Sequence, residues 1–94
     1  MEDGLMARTI VPTPLPERQH LSDAEILGKF VRARRTQAGL GIHETAALCG
    51  VSVDTMSRIE RATGNVRLST ALGICRMLGI VITIEAGGSG DRNT

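Results

Sequence analysis

Residues 39–60 read GLGIHETAALCGVSVDTMSRIE, and how this run is parsed decides the fold. Ser52 is placed to cap a helix that begins near Val53, because its hydroxyl can accept from the free N–H groups of a first turn. Gly50, two residues earlier, supplies a backbone position without a Cβ for the turn. At 3.6 residues per turn, Met56 and Ile59 fall on one side of this helix, while Val53, Asp54, Ser57, Arg58 and Arg61 gather on the other. With a shorter helix ahead of it over about 42–49, the run reads as two helices joined by a tight turn. One side of the second helix anchors and the other is displayed.

A short helix held by its neighbour and showing small polar and basic side chains has the shape that enters a DNA major groove. The run resembles the helix-turn-helix of the Cro/cI-like (Xre) regulators. Ala46 in the first helix, Gly50-Val51-Ser52 at the turn and the Ser57-Arg58-Ile59-Glu60 ending carry the resemblance. It extends from about Leu27 to Ile84, and the helix-strand ending is most similar to HipB-type antitoxins. The resemblance implies a mainly α, four- to five-helix lambda-repressor-like domain with a short C-terminal β-strand that pairs across a dimer. It places Ser52, Val53, Asp54 and Ser57 where the family touches DNA, and Arg35 and Glu60 where many members form an ion pair between helices one and three. The chain departs from the pattern at Gly41 and Ile42, where the family usually has Ser and Gln. That substitution loses a capping hydroxyl and an amide that commonly touches DNA.

Outward from this motif, Leu21-Ser22-Asp23-Ala24-Glu25-Ile26 reads as a helix start. Ser22 and Glu25 have capping-box spacing, and Leu21 and Ile26 occupy the two staple positions. The first helix is expected to run to about Ala38, with Ile26, Leu27, Phe30 and Val31 at helical spacing and Gly39 as a left-handed stop. After the motif, Gly64-Asn65 breaks the pattern, and a fourth helix from about Leu68 to Leu78 carries Leu68, Ala71, Leu72, Cys75 and Leu78 on one face before Gly79 ends it. Ile80-Val81-Ile82-Thr83-Ile84-Glu85 alternates and is β-branched, so it reads as a strand with Ile80, Ile82 and Ile84 on one face. A lone strand leaves its backbone groups unpaired, and pairing with the same strand of a second copy repairs this. Homodimerisation through these three isoleucines is the expectation.

The organisation that follows is an extended, poorly ordered arm over residues 1–20, a folded domain over 21–86 and a flexible tail over 87–94. Pro12, Pro14 and Pro16 exclude helix from the arm, in which 9–11 could add a strand; Gly87-Gly88-Ser89-Gly90 opens the tail. Ninety-four residues leave room for one domain, and a folded part of about sixty to seventy is marginal for an isolated core. Phe30 is the single aromatic, so the core must be aliphatic and stacking on single-stranded bases is not expected.

The formal charge of +1 averages unlike regions. From Lys29 to Arg76 there are eight basic residues and three acidic ones, which leaves +5 on the part of the chain that carries the motif, a balance suited to nucleic acid. Cys49 and Cys75 stand 26 positions apart in apolar patterns, without a CxxC, and read as reduced core thiols with neither disulfide nor metal. No apolar run is long enough to span a bilayer and the N-terminus resembles no secretion signal, so the expected location is the cytoplasm. The sequence offers no glycine-rich phosphate loop, no Ser/His/Asp grouping and no clustered carboxylates; neither catalysis nor a cofactor is expected.

Among the displayed residues, Arg58 is the first candidate base reader, since a guanidinium can donate twice to guanine O6 and N7; a phosphate contact or a solvated charge is the open alternative. Val53 can meet a thymine methyl. Asp54 can accept from cytosine N4 or stabilise the positive end of its own helix, and the latter is favoured. Arg34, His43, Thr55 and Arg61 are candidate phosphate contacts, His43 being equally readable as a surface histidine. The leading function is a homodimeric regulator, usually a repressor of its own promoter, on a palindromic double-stranded operator. The alternatives are a HipB-type antitoxin that holds a kinase-like toxin, and a protein-binding antiactivator that no longer binds DNA.

Overall fold

Each helix among the described residues ends on the same backbone device, and those stops divide that region into four helical segments. The computed structural model describes residues 9–87, in which α1 spans Ala24–Gln37, α2 Ile42–Cys49, α3 Val53–Arg61 and α4 Leu68–Leu78. In each case the N–H two residues past a terminal turn returns to the carbonyl five residues back: Leu40 to Arg35, Val51 to Ala46, Thr63 to Arg58 and Ile80 to Cys75. This closure needs a left-handed residue just before it. Gly39, Gly50 and Gly79 serve α1, α2 and α4, whereas α3 uses Ala62 at φ 56°.

The α2, α3 and α4 boundaries coincide with those expected from the sequence. The start of α1 differs. Asp23, rather than Ser22, is the cap, its carboxylate accepting from Ile26 N at 3.0 Å, and the helix begins at Ala24. Both residues can cap, and with the cap one position later the Ser22/Glu25 box and the Leu21/Ile26 staple lose their register; Leu21 is exposed.

The core consists of Val31, Ala46, Met56, Ile59, Ala71, Ile74 and Leu78, with Leu27, Ile42, Val53, Val66 and Ile80 against its edge. It is aliphatic, as the composition requires. Phe30 lies outside this cluster, half-buried on a shallow surface with Leu15, Ile80 and Val81. Helix α3 is the central element and packs against both α1 and α2, while α4 closes the bundle from behind. Two contacts fix α3 on α1. Gly28 is buried so close to the end of α3 that a Cβ there would stand 2.6 Å from the Ile59 carbonyl oxygen and 2.7 Å from that of Glu60. Arg35 donates from Nε and Nη2 to the Glu60 carboxylate at 2.6 and 2.9 Å, and from Nη1 to the Leu40 carbonyl at 2.9 Å. This is the ion pair that the family resemblance implied, and it is buried at both ends.

Residues 9–22 contain neither helix nor strand, and Thr13 fastens them to the end of α1. Thr13 N donates to Thr36 Oγ1 at 2.9 Å, and Gln37 Nε2 donates to the Thr13 carbonyl at 3.0 Å. No strand forms among the described residues, either over 9–11 or over the 80–85 segment. Val81 and Ile84 there are 85% and 95% exposed. The tail beyond Gly87 and the first eight residues of the arm lie outside the described residues.

Candidate nucleic-acid interface

The α2–turn–α3 unit owes its geometry to a few local contacts. Glu44 reaches back to accept from Gly41 N at 2.7 Å, which supplies half of a capping box; Gly41, lacking a side chain, cannot supply the other half. Thr45, fully buried, donates to the Gly41 carbonyl at 2.9 Å. Ile42, one of the two departures from the pattern the motif resembles, turns its side chain toward the core, and His43 beside it is exposed. At the head of α3, Ser52 Oγ accepts from Thr55 N and donates to Thr55 Oγ1, both at 3.0 Å, so it caps the helix as expected.

Helix α3 is gripped from behind by Met56 at 0% exposure and Ile59 at 7%. The opposite side presents Asp54, Arg58 and Arg61, all exposed and spaced four and three apart in one stripe. Val53 and Ser57 flank it half-buried, and Val53 leans on the core. The sequence therefore located the stripe, while tertiary packing sorts its members. Ser52 has committed its hydroxyl to the cap, and Val53 shares its methyls with the interior.

The charges sort likewise. Arg58 Nη2 meets Asp54 Oδ2 at 3.0 Å, an exposed pair one turn apart. Its stem rests over the loop that follows α3, where a Cβ on Gly64 would come within 3.2 Å of Arg58 Cδ. Arg34, expected at a phosphate, donates from Nε to the Leu78 carbonyl at 2.8 Å, with its guanidinium over Gly79; it caps the negative end of α4. Arg61 is exposed on α3 and makes no ion pair or hydrogen bond with another side chain among the described residues, which leaves it the freest cation of the stripe. Thr55 accepts from Ser52 and keeps its own hydroxyl hydrogen for another acceptor.

Cys49 and Cys75 are free thiols, both pushed above the ordinary thiol range by burial, as befits core packing. Among the described residues no grouping of His, Cys, Asp and Glu suits a metal ion. No helix there is long and apolar enough to cross a membrane. Sequence reasoning missed an open groove of about 610 Å³ between the ends of α1, α2 and α4, lined by Arg34, Leu40, Leu48, Arg76 and Met77. Leu48 and Met77 face solvent in it, although helical periodicity gives no warning of an exposed pair contributed by two helices.

A family described as a helix-turn-helix domain matches residues 26–81, more than half of the chain. Among solved structures, a hypothetical transcription factor from Neisseria is similar over 76% of this chain and 79% of that one, at 30% identity and a TM-score of 0.58. No match was found among curated proteins.

Proposed function

The chain belongs to the helix-turn-helix domain family, and we propose that it is a homodimeric, sequence-specific regulator of transcription that represses its own promoter. Helix α3 of each subunit enters one of two successive major grooves of a palindromic operator, about 34 Å apart. The observation that carries this reading is the division of α3, with Met56 and Ile59 sealed behind it and Asp54, Arg58 and Arg61 open in front. Arg58 is the principal base reader, with Asp54, Ser57, Val53 and Ser52 completing the contact surface. Arg61, His43 and Thr55 bind phosphates. Arg34 holds its phosphate role only through the N–H groups left by Leu78. Ile82 and Ile84 join the two subunits, next to Ile80, which lies at the edge of each subunit's own core.

Gel shifts with the DNA upstream of its own gene test this directly. Affinity is expected to fall steeply as salt rises, because phosphate contacts release counterions, and to exceed affinity for scrambled duplex. Arg58→Ala should abolish the preference while the protein stays folded. Salt-insensitive binding, or equal binding to scrambled DNA, sinks the proposal.

The exposed Leu48 and Met77 groove favours a second reading, in which the domain also holds a partner protein as HipB-type antitoxins do. Leu48→Glu should then release a co-purifying kinase-like partner without affecting operator binding. If the partner stays bound, the groove is not its seat.

A further inference from the structure

We propose that Asp54 and Arg58 work as one reader of a single C·G base pair, with Asp54 as a positioning residue that aims the guanidinium at guanine and accepts from the paired cytosine. The inference rests on the DNA-binding reading above and assigns the chemistry of its central contact.

The geometry holds Arg58 from two directions. Asp54 Oδ2 takes one N–H of Nη2 at 3.0 Å, and the loop backbone at Gly64 lies against the side-chain stem. An arginine restrained this way has fewer rotamers to surrender when it docks, and its planar fork keeps further N–H groups for a bidentate contact. Guanine offers O6 and N7 to such a fork, and the cytosine paired with it presents its N4 amino group beside them in the major groove. Asp54 Oδ1 is an acceptor with no partner among the described residues, and its side chain is 71% exposed. Acceptor and donor fork thus stand side by side in the order in which a C·G pair displays donor and acceptors. The same carboxylate is repelled by phosphates, so it also keeps Arg58 from settling on the backbone of unrelated DNA.

The plain alternative is an ion pair at spacing i,i+4 that merely supports the helix. The two roles separate on base preference. The full-length wild-type, Asp54→Ala, Asp54→Asn and Arg58→Ala proteins, each checked for helical content, are incubated with a library of random-sequence duplexes. The enriched duplex is then titrated beside a copy whose preferred C·G pair is changed to T·A, over a series of salt concentrations. Wild type should enrich a C·G pair in each half-site, and Asp54→Ala should lose that preference by roughly tenfold. Asp54→Ala should also gain affinity for unrelated duplex, with a salt slope steeper by about one phosphate contact, because the released Arg58 turns to the backbone. Arg58→Ala should lose the preference without the gain. If Asp54→Ala enriches the same pair as strongly as wild type, Asp54 only supports the helix and the inference fails alone. If wild type enriches no sequence at all, the DNA-binding reading fails with it.

Discussion

At the scale of single residues, two small and inconspicuous positions carry sharp consequences. Gly28 reads as an interruption of a helix, a place where alanine normally gains stability. Its neighbours reverse that sign, since a methyl group would drive into the Ile59 and Glu60 carbonyl oxygens, and backbone atoms at a helix end yield little. Gly28→Ala should cost about 1–3 kcal/mol, as overpacking does, and lower the melting temperature by at least several degrees in a thermal scan followed by circular dichroism. Ala62 is the mirror case. It alone among the four left-handed helix stops has a Cβ, so Ala62→Gly should stabilise by about 0.5–1 kcal/mol despite the added freedom of the unfolded chain. An unchanged melting temperature would show that the α3 stop is already relaxed. The buried thiols add a pH dependence of definite sign. Burial raises Cys75 and Cys49 above their unfolded values, so the stability they contribute is complete below the ordinary thiol pKa of about 8.5 and is lost as pH climbs through the folded values. Replacing Cys75 with alanine should flatten the alkaline arm of a stability–pH curve, along with the packing loss that any truncation brings.

At the scale of elements, α3 is defined by what its neighbours do to it. The Arg35–Glu60 bridge ties α1 to α3 with side chains 10% and 7% exposed, and Arg35 spends a third N–H on the Leu40 carbonyl. Glu60→Ala leaves that guanidinium buried and without its carboxylate, a loss of about 3–5 kcal/mol, which for a domain of this size should abolish the cooperative unfolding transition. A Glu60→Ala protein that melts as wild type does would mean that water replaces the carboxylate. Most of this architecture was legible beforehand, for a physical reason: Gly39, Gly50 and Gly79 are stops whose requirement is local, and Ser52 caps through its own hydroxyl. Where two adjacent residues can cap, as Ser22 and Asp23 can, composition cannot choose between them. The stripe of Asp54, Arg58 and Arg61 followed from periodicity alone. What periodicity cannot supply is a side chain's engagement with distant chain. The half-burial of Val53, the hold of Arg34 on Leu78 and the need for glycine at position 28 are all set by residues far away in sequence.

At the scale of the whole molecule, the open question is what satisfies residues 80–85. Ile80 still belongs to the fold, donating to the Cys75 carbonyl at 2.8 Å and lying against the core, but from Val81 onward the segment is β-branched, largely exposed and in no ladder. Burying its isoleucines and pairing its amides against a second copy would offset the small core of a single chain and set two α3 helices at a fixed separation. Two substitutions examine this without disturbing the monomer. Thr83→Pro removes one ladder donor and fits poorly into a paired strand; Ile84→Lys places a charge where the side chain is 95% exposed in the single chain. If the proposed pairing holds, wild type should sediment as a dimer, and both variants should keep wild-type helical content yet sediment as monomers at the same concentrations. Operator affinity should fall by orders of magnitude, because the second half-site is no longer held at high effective concentration, while contact with an isolated half-site should be unchanged. Should both variants remain dimeric and bind as wild type does, the two-fold axis lies elsewhere. The exposed Leu48 and Met77 groove then becomes the surface on which to place it, and Leu48→Glu the substitution that should produce monomers.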